Sequence, residues 1–116
     1  MPLGQPIVGS AASWGTEYSL FSQGTSLNAI TSPGVYEAWI DAANIASGDQ
    51  YTFRAYEKVR TGGTKRLYIE HQIVGVQTPA IWIYPGVQLH NGFDYTLQCT
   101  SGTNTRSIDY SIRRIS

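Results

Sequence analysis

Apolar residues recur at every second position through most of this chain. In residues 34–41, GVYEAWID, one face would carry Tyr36, Ala38 and Ile40, and the other Val35, Glu37 and Trp39. A period of two predicts a strand with one face in a core. The same phase runs through Tyr51, Phe53, Ala55 and Val59, and returns in Leu67, Ile69 and Ile73. FDYTLQCT places Phe93, Tyr95, Leu97 and Cys99 inward, and RSIDYSIRRI answers with Ile108, Tyr110 and Ile112 across a loop at 101–105. Shorter strands are predicted at 18–22 and 27–30. The run PAIWIYP, fenced by Pro79 and Pro85, fits a short or edge strand.

Turn signals punctuate these runs at Ser32-Pro33-Gly34, Gly62-Gly63 and Asn91-Gly92. Residues 42–49, AANIASGD, predict one helical turn in which Ile45 caps the core and Gly48 takes the left-handed conformation. No helical periodicity runs longer than that, and no internal repeat is present. The pattern predicts an all-β, antiparallel two-sheet β-sandwich of about eight strands, with the jelly roll among its candidate topologies. The sandwich domain is expected over 14–116. Residues 1–13, with Pro2, Gly4, Pro6 and Gly9, read as an extended N-terminal arm or a frayed terminus.

The segment 54–71, RAYEKVRTGGTKRLYIEH, predicts a β-hairpin. A two-residue Gly62-Gly63 turn would set Val59 opposite Arg66. A three-residue Gly62-Gly63-Thr64 loop sets Val59 opposite Leu67, Ala55 opposite His71 and Phe53 opposite Ile73. A one-residue slip sends every side chain to the other face, so the second register is expected. Its polar face would carry Arg54, Tyr56, Lys58 and Arg60 beside Arg66, Tyr68, Glu70 and Gln72. Tyr56 would then face Glu70, and Arg60 would face Arg66.

Composition narrows the function classes. A chain of 116 residues is the size of one domain. Charged residues are 14%, against about 25% in an ordinary soluble protein. A weakly charged sheet surface suits a protein packed against neighbours. Net charge is zero, which argues against a nucleic-acid partner. The lone Cys99 excludes an internal disulfide and reads as a small core residue. No stretch approaches the ~18 apolar residues of a membrane helix. The N-terminal residues lack the basic region and apolar run of a signal peptide.

Candidate chemistry is sparse. Glu57 and His71 fall on the apolar phase as diagonal neighbours, which reads as a buried acid–base pair or as a hydrogen-bonded pair at the rim. His90, Asp94 and Asp109 match no zinc spacing, and Asp41 and Asp49 lack the pattern of a calcium loop. Asp94, just after Asn91-Gly92, reads as turn chemistry. No nucleophile elbow, phosphate loop or HExxH is present. No enzyme, cofactor, metal or small-molecule substrate is therefore expected. Arg54, Tyr56, Lys58, Arg66, Tyr68 and Glu70 read either as a protein-contact face or as a solvated face held by cross-strand pairs. Trp39, Trp82 and Tyr84 are further aromatic candidates, for an oligomer interface or for stacking on sugars.

Residues 34 to 115 carry a family resemblance. The strand ending in Asp41, the turn closed by Gly48-Asp49, the run Tyr56-Glu57-Lys58-Val59 and the C-terminal Ser111 to Arg114 resemble small virion structural proteins of tailed bacteriophages. The resemblance implies a capsid decoration (cement) protein. It implies a homotrimer on the outer capsid surface, made in the host cytoplasm, with the major capsid protein as partner. The rival expectation is a tail or fibre module that binds host carbohydrate. No functional residues transfer from the family.

Overall fold

The computed structural model describes residues 7–24, 34–60, 62–89 and 92–115. Eight strands follow in order: β1 (Ile7–Ala11), β2 (Tyr18–Ser19), β3 (Gly34–Asp41), β4 (Gln50–Glu57), β5 (Arg66–Val74), β6 (Ile81–Leu89), β7 (Phe93–Ser101) and β8 (Ile108–Arg114). They form two four-stranded sheets, β1-β8-β3-β6 and β2-β7-β4-β5. The antiparallel pairs β1·β8, β2·β7, β3·β6 and β4·β5 nest around the β4–β5 turn. The chain is one long hairpin rolled into two packed layers, which is the jelly-roll form of the sandwich.

The alternation that predicted β3 holds, with Tyr36, Ala38 and Ile40 buried between the sheets. On the facing sheet Tyr51, Phe53, Ala55, Tyr95 and Leu97 are fully buried. Aromatic rings carry the contact between layers. Phe53 of β4 lies 5.0 Å from Trp82 and 5.1 Å from Tyr84 of β6, and Tyr36 of β3 lies 5.2 Å from Phe93 of β7. Such pairs add about 0.5–1.5 kcal/mol each beyond the burial of their area.

One side of the sandwich is closed by the segment between β1 and β2. Trp14 is fully buried there, with its ring against Tyr18, Tyr51 and Tyr110. Its Nε1 donates to the Arg106 carbonyl (2.8 Å), which satisfies the buried indole. The Tyr18 and Tyr110 hydroxyls meet at 2.8 Å and join the two sheets. Residues 7–11 were expected in an arm outside the domain. They are extended, but as edge strand β1 paired with β8. Gly9 is what permits this: a Cβ there would strike the Tyr110 ring, so the glycine lets β1 lie over it. Residues 1–6 of the expected arm lie outside the described residues, as do the expected strand at 27–30 and most of the Ser32-Pro33-Gly34 turn.

Several local expectations change. Residues 42–49 form two successive turns, Ile45 N–H to Ala42 O and Asp49 N–H to Ala46 O, rather than a helical turn. Ile45 does cap the core, and Gly48 does take a left-handed φ of 90°. β6 runs to nine residues, longer than the proline fences implied. Pro85 is tolerated because β6 is an edge strand and a bulge falls there, between Tyr36 and Ala38 of β3. β7 and β8 lie in different sheets, so they face each other across the core instead of pairing as a hairpin.

The β4–β5 hairpin is the largest correction. Tyr51 pairs with Ile73, Phe53 with His71 and Ala55 with Ile69. From Tyr51 to Ala55 the faces are those expected, but the strands are shifted by two residues, and beyond the bulge Leu67, expected inward, is 47% exposed. A bulge then leaves Tyr68 as the extra residue, and Tyr56 pairs with Leu67. The connection spans 58–65 in place of the expected three-residue loop. Alternation fixes only the parity of a register, and this shift preserves parity. Val59, expected inside, lies in the loop at 92% exposure.

Candidate functional site

The outer face of the β2-β7-β4-β5 sheet gathers a polar cluster from four separate segments. β4 and β7 place Tyr56 directly opposite Asp94, and Arg54 opposite Thr96. β2 and the residue before it bring Ser19 and Glu17, and the end of the 58–65 loop brings Lys65. Tyr56 Oη and Thr96 Oγ1 both donate to Glu17 Oε2 (2.5 Å each). Arg54 Nε donates to Glu70 Oε2 (2.9 Å), and Arg54 Nη1 lies 3.6 Å from Glu17 and 2.9 Å from Gln98 Oε1. Register makes Glu70 the direct partner of Arg54, where the sequence pattern had set it diagonally.

Asp94 is the centre of this cluster. It is 0% exposed, although it sits on the polar phase of β7. Its Oδ1 accepts from Ser19 Oγ (2.6 Å). Its Oδ2 is buried with no hydrogen-bond partner among the described residues, and Lys65 Nζ stands 3.9 Å away. The same Nζ lies 5.7 Å from the centre of the Tyr56 ring. Burial pushes the Asp94 carboxyl up to about 6; the Ser19 hydrogen bond and Lys65 oppose that rise, and the Glu17 charge adds to it. Burial, together with the hydrogen bond to Glu17, takes the Tyr56 phenol up to about 12.

The expected site residues therefore divide. Arg54, Tyr56 and Glu70 belong to the cluster. Lys58 follows β4 and donates its backbone N–H to Gly92 O (2.9 Å). Arg66 is exposed and pairs with Glu57 across the hairpin, so it does not face Arg60. Tyr68 turns from the bulge toward Tyr84 and Tyr95, and burial raises its phenol. Trp39 lies on the outer face of the other sheet. The Arg113 guanidinium sits 4.0 Å from its ring centre, and its Nε1 donates to Glu37 (2.7 Å). Trp82 is half-buried and faces inward. Tyr84 is only 7% exposed, so it is a core residue and not a contact residue. The pair leaving the core on β6 is Ile81 and Ile83.

Glu57 and His71 do not form the expected pair. His71 is opposite Phe53 and Glu57 opposite Arg66, four residues apart along β4. His71 is exposed and packs edgewise near Trp82 and Tyr84, each at 6.0 Å. Among the described residues no three acids, histidines or cysteines gather to hold a metal; His90 lies outside them. Asp49 instead pins loops. It accepts from Ala46 N–H, Thr103 N–H and Arg106 Nε, and the Arg106 hydrogen bond, with the two backbone donors, holds its carboxyl down at about 2.

A second feature is the rim formed by edge strands β5 and β6. β1 has five residues and β2 two, and β6 carries Pro85 at its bulge. β5 has nine residues with neither proline nor lysine, and all but Ile69 and Ile73 are exposed. Leu67, Tyr68 and Val74 on β5, and Ile81 and Ile83 on β6, are between 42% and 58% exposed. The sequence pattern missed the roles of Glu17 and Lys65 because both lie outside alternating strands. It missed Asp94 because the neighbouring Asn91-Gly92 suggested a turn. The chain matches no protein-family model, no curated protein and no solved structure.

Proposed function

We propose that this chain is a capsid decoration protein of a tailed phage. In this reading it sits on the outer shell as a homotrimer and bridges neighbouring copies of the major capsid protein. The observation that carries it is the β5–β6 rim. β1 and β2 are five and two residues long, whereas β5 and β6 run to nine each, and despite the bulge at Tyr68 and the charges of Arg66 and Glu70, β5 keeps Leu67 and Val74 exposed, as β6 keeps Ile81 and Ile83. Natural sandwiches blunt such edges unless a partner covers them. The weakly charged surface and the phage resemblance over residues 34 to 115 support the same reading. The mechanism is mechanical. Area buried between capsid subunits, about 800 Å² per partner in a standard interface, opposes the outward pressure of packaged DNA. Cosedimentation of the purified protein with capsids stripped of it tests the reading: saturable binding supports it, and no binding defeats it.

A second reading rests on a separate observation. A shallow depression of about 200 Å³ on the outer face of the β1-β8-β3-β6 sheet is lined by Trp39, Asp41, Asp109 and Arg113. An aromatic ring beside acids and a guanidinium is the kind of surface that holds a saccharide. A glycan array decides: saturable binding lost in Trp39→Ala would favour a carbohydrate-binding module over a decoration protein.

A further inference from the structure

We propose that Lys65 and Asp94 join in an intramolecular isopeptide bond, tying the β4–β5 loop to β7. The two groups are already in contact range, with Lys65 Nζ 3.9 Å from Asp94 Oδ2. The site is shielded: Asp94 is 0% exposed, and the Lys65 side chain is 20% exposed. Oδ2, the oxygen nearest the amine, has no hydrogen-bond partner among the described residues. A buried carboxylate in that condition is costly, and a neutral amide would remove the cost.

The chemistry needs no cofactor or oxidant. A proton passes from the Lys65 ammonium to Asp94 Oδ2, which gives a neutral amine and a neutral acid. Low polarity favours that pair over two ions. Burial raises the Asp94 carboxyl, and the nearby Glu17 charge raises it further, so the acid form is within reach. Nζ then attacks Cγ. The Ser19 hydroxyl, already 2.6 Å from Oδ1, donates to the oxygen on which negative charge gathers. A second proton moves from nitrogen to Oδ2, and Oδ2 leaves as water. One C–N bond forms and one C–O bond breaks. Oδ1 remains as the amide oxygen, still bound by Ser19. The bond would brace the long edge strand against β7, across β4, and it stands whether or not the capsid reading does.

Mass spectrometry of the denatured full chain tests this. The wild type is expected to be lighter than its sequence by one water. Protease digestion should release a branched peptide joining the Lys65 and Asp94 segments. Lys65→Arg keeps the charge and the fold but cannot form the bond, and it should have its full mass. A wild type of full mass, with only linear peptides, overturns the proposal. So does a water loss that persists in Lys65→Arg, since that marks a cyclised aspartate instead.

Discussion

The Ser19 hydroxyl donates to Asp94 Oδ1 across 2.6 Å, linking the two-residue strand β2 to the start of β7. The bond satisfies one oxygen of a fully buried acid and leaves the other to Lys65. Burial raises the free Asp94 carboxyl to about 6 from an ordinary 3.8, and Lys65→Arg, which keeps the neighbouring charge, leaves that carboxyl free to titrate. The folded state then holds the proton more tightly than the unfolded chain. Its contribution is complete below about 4 and is lost as pH rises through about 6. Stability of Lys65→Arg should increase between pH 7.5 and pH 5, by on the order of 1–1.5 kcal/mol. Urea denaturation at a series of pH values checks it; a flat or falling profile over that range would be inconsistent with a buried, raised Asp94.

Asp49 has the opposite sign. Its carboxyl is held at about 2, below the ordinary 3.8. The stability it supplies is present above about 4 and is lost as pH falls toward about 2. Arg106→Ala removes the donor that lowers it most. The variant should melt several degrees lower at pH 7, and the gap to wild type should narrow near pH 2. Thermal melts at both pH values measure this. Equal gaps at the two would show that Arg106 acts through packing alone.

Glu17 holds the Trp14–Leu20 stretch against the outer face of its sheet through Tyr56, Thr96 and Arg54. Glu17→Ala should cost about 2 kcal/mol, from two lost charged hydrogen bonds and the hydroxyls left behind. Amide exchange should accelerate most at Trp14 and Leu20, whose N–H groups bond to Asn104 O and Tyr95 O. Uniform acceleration across all strands would argue for global destabilisation instead.

The rim is open to a separate test. Leu67 and Val74 are 47% and 58% exposed on β5. If the rim is the proposed capsid contact, Leu67→Asp with Val74→Asp should weaken capsid binding at least tenfold while changing fold stability by less than about 0.5 kcal/mol per site. Unaltered binding would place the contact face elsewhere.

Much of the fold was legible in alternation. β3 emerged with its bounds and both faces because Tyr36, Ala38 and Ile40 are apolar at every second position, and β7 because Phe93, Tyr95 and Leu97 are. The β4–β5 register was legible only in parity: apolar residues meet apolar residues in either even register, and the bulge at Tyr68 leaves no mark on composition. The cluster was half legible. Arg54, Tyr56 and Glu70 share a strand phase, so their neighbourhood followed from pairing. Glu17, Ser19 and Lys65 come from a two-residue strand, the residue before it and a loop, and only the rolled-up topology brings them to Asp94. Trp82 and Tyr84 were misjudged because Ile81 and Ile83 are equally apolar, and hydrophobicity alone does not choose between the two faces of β6.

Copy number per virion tests the proposed location most directly. If the chain decorates a tailed-phage capsid as proposed, quantitative mass spectrometry of purified particles should find it in numbers comparable with the major capsid protein. Its absence from the particle, or a few copies confined to the tail, would contradict the decoration role.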